Sequence, residues 1–230
     1  MLPACQVLLG IRKMVVDASK IFVTAPTNLE FEAVEKVVQK YGCKGIVTGV
    51  GPVKTSHILT RHVEVERPDI VLLCGVGGLY SNRKDFGPRV FVAETEILAD
   101  FGRCSKDFIS PLEIGGQNID QSFELSESWQ FFTVEELAGA GFTTARMATV
   151  SCVSANRERA LYISELYNVQ VENMEGASAA LVCSHYGISL FEFRAISNIA
   201  GDIDHSKWKI KSALASLCRE VDRFLGLLYT

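Results

Sequence analysis

The stretch VENMEGASAALVCSHYGISLFEFRAISN, from Val171 to Asn198, sets Glu172, Met174 and Glu175 before a run of small residues and closes on Ser197 and Asn198. An ionised carboxylate accepts hydrogen bonds on both oxygens, whereas a carboxamide presents a fixed donor and a fixed acceptor. Taken singly, the carboxylate is a helix-start residue and the carboxamide a turn residue. Placed together, across one helix and one strand, they point to something more specific. A further pair of acids stands in PTNLEFEAV, where Glu30 and Glu32 open a helical run. Two residues apart on a helix, they point about 200° from each other, so only one faces a given pocket. Glu30 is the candidate because it is nearer the turn, and the plain alternative for either is an acid favoured by the helix dipole.

The elements that position these residues follow from hydrophobic period. KIFVTAP (Lys20 to Pro26) reads as a buried strand, and NLEFEAVEKVVQKYG as a helix with Leu29, Ala33 and Val37 on one face and Gly42 at its end. KGIVTGVG is a second strand, and PVKTSHILTRHVEVERP a helix stopped by Pro68. DIVLLCGVGG and RVFVAETEILADFG read as strands, SWQFFTVEELAGAGFTTARMATVSCVSA as a helix and then a strand. NRERALYISELYN is a helix, VQVENME a short strand, GASAALVCSHYG a helix and ISLFEFRAISN a strand. A long amphipathic helix closes the chain, with Ser206 as its expected cap. The stretch from Gly102 to Ser128 has the least period and reads as loop or insertion. Alternating strands and helices predict an α/β layer fold with a largely parallel sheet.

Ligands of open α/β sheets bind beyond the carboxyl ends of the strands. Two glycine-bearing stretches, GVGPVKT (Gly49 to Thr55) and CGVGGLY (Cys74 to Tyr80), fall at such ends. Gly75, Val76 and Gly77 are therefore candidates for a pocket floor made of backbone, the alternative being tight turns after strands. Neither stretch has the GxGxxG spacing of a dinucleotide site, and no GxxxxGK[ST] phosphate loop is present.

The words VTAPTNLEFEAV, GVG, GVGGLY, VFVAETEILADFG, VENMEG and RAISN, in this order from Ile21 onward, resemble the nucleoside phosphorylase and nucleosidase superfamily. RAISN followed by GDIDHSKWKI is most similar to its futalosine hydrolases. The resemblance implies a single-domain, three-layer α/β fold with a twisted mixed central sheet flanked by helices, over residues 19–230 after an N-terminal extension of residues 1–18. It implies cleavage of a purine–ribose bond through an oxocarbenium-like sugar. On that reading Glu175 and Met174 bind ribose, with Glu172 beside them, and Asn173 lengthens the usual spacing by one residue. Glu30 or Glu32 activates water, with Glu30 preferred. Asn198 takes the place of an adenine-reading Asp, and its amide suits a 6-oxopurine such as hypoxanthine. Val153 and Ser154 in TVSCVSA lie along the purine or simply in a core strand. Asp202, Asp204, His205 and Trp208 form a lid or a capped helix start. The implied activity is release of hypoxanthine from futalosine in menaquinone biosynthesis, by a homodimer that needs no cofactor or metal. The alternatives are a purine nucleoside phosphorylase, a methylthioadenosine/S-adenosylhomocysteine nucleosidase, and a purine-binding sensor without turnover.

Bulk properties narrow the partners to a small molecule. A net charge of -4 without a Lys/Arg stripe gives no nucleic-acid surface. No run of about 20 apolar residues reads as a membrane span. The seven cysteines are widely spaced and odd in number, which speaks against a disulfide framework or zinc site and for a reducing cytoplasm. His57, His62, His185 and His205 have no metal-ligand spacing.

Overall fold

Apolar runs become strands and the runs of helical period become helices in the computed structural model of the protein, which describes residues 16–81, 89–105, 108–119 and 121–229. In chain order they are β1 (Ile21–Ala25), α1 (Asn28–Tyr41), β2 (Lys44–Val47), α2 (Pro52–Glu66), β3 (Ile70–Leu79) and β4 (Val90–Leu98). The middle holds β5 (Gly102–Ser105), β6 (Phe108–Pro111), β7 (Glu113–Ile114), β8 (Gln117–Asn118), β9 (Ser122–Glu124) and α3 (Val134–Gly139). The last part runs through β10 (Thr143–Thr149), α4 (Arg157–Tyr167), β11 (Val171–Asn173), α5 (Gly176–Tyr186), β12 (Ser189–Ile199) and α6 (Ile210–Leu228). The expected N-terminal extension falls outside the described residues up to residue 15, and Val16 is buried against the core.

Local chemistry sets the boundaries. Thr27 caps α1 through the Glu30 N–H, and Gly42 ends the helix in the left-handed region at φ 72°. Pro52 occupies the first position of α2, where its missing N–H leaves no bond unmade. Ser206 does not cap the last helix. It sits in a 3-10 turn, His205–Lys207, whose cap is the Asp204 side chain, and α6 begins only at Ile210. Among the described residues no helix is long and apolar enough to cross a membrane.

The main sheet runs β11-β10-β4-β12-β3-β1-β2, with β9 added on β4. It is mixed: five of its pairings are parallel and three antiparallel. Periodicity alone predicts the parallel βαβ units. The antiparallel contacts arise where β4 and β12 meet and where β11 returns to the end of β3. Because β11 bonds both β10 and β3, five strands close a ring, β3-β12-β4-β10-β11. The stretch read as loop folds instead into two small antiparallel hairpins, β5–β6 and β7–β8, followed by β9.

Strand β12 sorts its side chains by the two-residue alternation of a strand. Phe191 and Phe193 meet Phe224 of α6, with ring centroids 4.7 and 5.1 Å away. Glu192 faces the other way, toward the first residue of α5, Gly176. Helices α5 and α6 therefore cover opposite faces of β12. Phe132 and Phe142 complete the cluster around Phe224, 5.6 and 6.0 Å away. Phe224→Ala should destabilise the fold by about 3–5 kcal/mol, the usual cost of emptying a buried aromatic site, read from the urea midpoint.

Candidate active site

Beyond the end of β1, against the carboxyl-terminal portions of β3, β11 and β12, lies a cavity of about 410 Å³. Glu30 enters it from the first turn of α1. Its Oε1 accepts the Val76 N–H at 3.0 Å and its Oε2 accepts the Thr27 hydroxyl at 2.6 Å. Glu32, on the far side of the helix, is exposed. Glu175 stands between β11 and α5, 3% exposed. Its Oε1 accepts the Gly51 N–H at 3.0 Å, and its Oε2 accepts Nη1 of Arg194 at 3.0 Å. Each of these carboxylates is thus held on both oxygens, and each retains lone pairs for a ligand.

Asn198 reaches the cavity through an irregularity in β12. The register against β3 slips between Ile196 and Asn198, which leaves Ser197 as an extra residue. Ser197 and Asn198 both line the cavity as a result. The Asn198 Oδ1 accepts from the Ser197 hydroxyl at 2.8 Å, and Nδ2 donates to the Ile199 carbonyl at 3.1 Å. One N–H and one acceptor lone pair remain.

Glu172 also lines the cavity, but its oxygens are engaged elsewhere. Oε1 accepts the Ser154 N–H at 3.1 Å, while Oε2 accepts the Ser154 hydroxyl at 2.5 Å and the Tyr80 hydroxyl at 2.9 Å. Burial, and then the Glu172 charge, push the Tyr80 hydroxyl well above its ordinary pKa, so it stays a donor. Glu172 and Ser154 fasten the wall to which Val153 and Met174 also contribute. Val76 and Gly77 line the cavity, whereas Gly75 does not. A Cβ at Gly75 would lie 2.5 Å from Nη1 of Arg194 and 3.1 Å from Oε1 of Glu30, so its bareness makes room beneath the floor. These glycines lie within β3, not beyond it, because β12 and β11 extend the pairing to Leu79.

Arg194 escapes the sequence reading. It is 1% exposed and bonds Glu175, Nε–Glu192 at 2.7 Å and the Val76 carbonyl at 3.4 Å. Burial opposes its charge, yet Glu192, Glu175 and Glu30 outweigh that and hold it protonated more firmly than usual. Burial likewise raises the Glu175 carboxyl, while Arg194 and the Gly51 N–H pull it back and Glu30 adds to the rise. The remaining rim comes from Asp202, Ile203, His205 and Trp208. His205 stacks on Trp208 with centroids 4.3 Å apart, and Trp208 Nε1 donates to the Asp202 carbonyl at 3.1 Å. Asp204 instead caps the 3-10 turn. Among the described residues no cluster of three or more His, Cys, Asp or Glu side chains is arranged to hold a metal ion.

The Phosphorylase superfamily profile matches residues 33–228, and the chain belongs to that family. Within it, the chain is 32% identical over 216 residues to the futalosine hydrolase of Thermus thermophilus, covering 88% of this chain and 93% of that one. It is 31% identical over 199 residues to the futalosine hydrolase of Streptomyces coelicolor, covering 80% and 78%. Its fold superposes on a mutant futalosine hydrolase of Helicobacter pylori with a TM-score of 0.67 at 16% identity, covering 88% of this chain and 97% of that one.

Arg194→Met should leave Glu175 and Glu192 as uncompensated buried carboxylates and cost about 3–5 kcal/mol. Loss of the guanidinium raises the folded-state pKa of Glu175 further, so the deficit should grow as pH rises and shrink as the carboxyl takes a proton. Urea unfolding at mildly acidic and mildly alkaline pH checks both the size and the sign.

Proposed function

We propose that the protein is a nucleosidase that cleaves the N-ribosidic bond of futalosine with water and releases hypoxanthine. The observation that carries this reading is the convergence of Glu30, Glu175 and Asn198 on one cavity, each held by partners that leave an acceptor or donor for a ligand. The two futalosine hydrolases that match over most of the chain support it.

In this reading the Glu175 carboxylate accepts from the ribose hydroxyls, and its charge favours the cation that develops as the bond breaks. Met174 packs on the sugar. Glu30, which also lines the cavity, takes a proton from the attacking water. Asn198 donates its free N–H to the 6-oxo group and accepts from N7–H as the base departs. A 6-amino group would face that donor with another donor, leaving polar groups unpaired at a cost of about 1–3 kcal/mol.

Water is favoured over phosphate as the nucleophile by the charge of the lining. Among the described residues there, only Arg194 and His205 are basic, and Arg194 is already committed to Glu175 and Glu192. Among the described residues of the lining, an incoming phosphate would meet Glu30, Glu172 and Glu175 with no uncommitted guanidinium to pair it. The same reading carries a cytoplasmic homodimer that serves menaquinone biosynthesis.

Chromatography of reactions with futalosine, inosine and methylthioadenosine, each with and without phosphate, tests the assignment. Hypoxanthine should come from futalosine alone and independently of phosphate. Cleavage of methylthioadenosine would sink the role given to Asn198, and phosphorolysis of inosine would make the enzyme a phosphorylase. Glu30→Gln should lower kcat by roughly 10²–10⁴-fold, the span of general-base catalysis. Because burial raises the Glu175 carboxyl, kcat/KM should fall toward acid with a midpoint above the ordinary carboxylate value of 4.5. A midpoint at or below that value would contradict the need for an ionised Glu175.

A further inference from the structure

Beneath the cavity floor lies a second pair of acids that the proposed reaction does not touch. Glu96 of β4 and Glu192 of β12 are both fully buried, and neither lines the cavity. They meet against the first residue of α5. A Cβ at Gly176 would lie 2.3 Å from Oε1 of Glu96 and 2.4 Å from Oε2 of Glu192, so the two oxygens flank the space that this glycine leaves empty.

The hydrogen-bond accounts of the two acids differ. Glu192 Oε1 is ion-paired to Nε of Arg194 at 2.7 Å, while its Oε2 is buried and has no hydrogen-bond donor among the described residues. Glu96 Oε1 accepts Nδ2 of Asn173 at 2.5 Å, and Oε2 faces the Thr149 hydroxyl at 2.7 Å. The Asn173 amide has a fixed orientation, because its Oδ1 accepts the Glu175 and Gly176 N–H groups at 2.9 and 2.8 Å. Were every acid ionised, Glu96 and Glu192, both out of reach of water, would share the guanidinium of Arg194 with Glu175. Two adjacent buried carboxyls do not both ionise.

We infer that Glu96 and Glu192 hold one proton between them, carried on Glu96 and donated to the orphan oxygen of Glu192, and that the pair positions Glu175. It does so along two arms. Glu192 anchors Arg194, whose Nη1 holds the Glu175 carboxylate at 3.0 Å. Glu96 anchors Asn173, whose carbonyl holds the Glu175 backbone N–H. Burial, and next the Glu192 charge, also keep the Glu96 carboxyl well above the usual carboxylate range, in line with this assignment. Neither acid reaches a ligand, so both are positioning residues. That half of the inference rests on the nucleosidase reading, while the shared proton stands without it.

Two measurements separate those halves. Infrared spectra in D₂O at neutral pD should show the C=O stretch of a protonated carboxylic acid in the wild type, and Glu96→Gln should abolish it. A wild type without that band, or a band that survives Glu96→Gln and vanishes in Glu192→Gln, overturns the proton assignment, whatever the enzyme acts on. In the futalosine assay Glu192→Gln should lower kcat roughly 10- to 100-fold, the range for losing a hydrogen bond to a charged group. Glu96→Leu should lose a similar factor, and Glu96→Gln, neutral and of the same shape, should recover kcat to within about threefold of wild type. Wild-type kcat in Glu192→Gln, or a loss in Glu96→Gln equal to that in Glu96→Leu, overturns the positioning role. Should Glu192→Gln fail to fold, the spectrum and the two Glu96 variants still decide the matter.

Discussion

Among the described residues, the guanidinium of Arg194 is the one cation buried among the acids beneath the cavity, and the arrangement of those acids depends on it. It has Glu192 on its Nε side and Glu175 on its Nη1 side, and the bare Gly75 leaves room for it. A charge buried this deeply is tolerated only where it is paired and hydrogen-bonded on most sides. The net contribution of such a cluster to stability is small, because desolvation offsets most of the attraction. Its effect is on geometry: the carboxylate of Glu175 is presented to the cavity at a fixed angle by bonds from two distant parts of the chain, Gly51 and Arg194.

Strand β12 reconciles that polar cluster with a large apolar core. One face sends Phe191 and Phe193 into the aromatic cluster around Phe224, and the other sends Glu192 and Arg194 toward α5. A two-residue period allows both within four consecutive positions. The slip at Ser197 then shifts the register with β3, which resumes at Asn198, and both residues line the cavity. Packing and chemistry thus share one strand without competing for the same side chains.

Much of this was legible in the sequence because it is local. The Gly42 end of α1 and the order of the outer elements follow from short-range pattern, and the family resemblance singles out Glu30 and Glu175. What could not be read is what distant segments bring. Gly51 donates to Glu175 from 124 positions away, and no period announces that contact. The glycines of β3 read as a backbone pocket floor or as turns at a strand end; they lie within the strand and also give close approach to Arg194 and Val171. Arg194 gave a faint signal that went unused: in FEFR, two charged residues share one face of an otherwise apolar strand. Ser206 was preferred as a cap by residue type, whereas Asp204 two residues earlier closes its own turn and delays the helix.

The closure of β11 onto β3 has a thermodynamic consequence for whatever enters the cavity. The wall that carries Met174 and Glu175 and the wall that carries Val76 and Gly77 belong to one hydrogen-bonded ring. Neither wall shifts without breaking pairing on the other. The conformational entropy of ordering these groups is therefore lost during folding and not again at each encounter with a ligand. The rim between Gly201 and Trp208 and the first turn of α1 line the cavity from outside the ring.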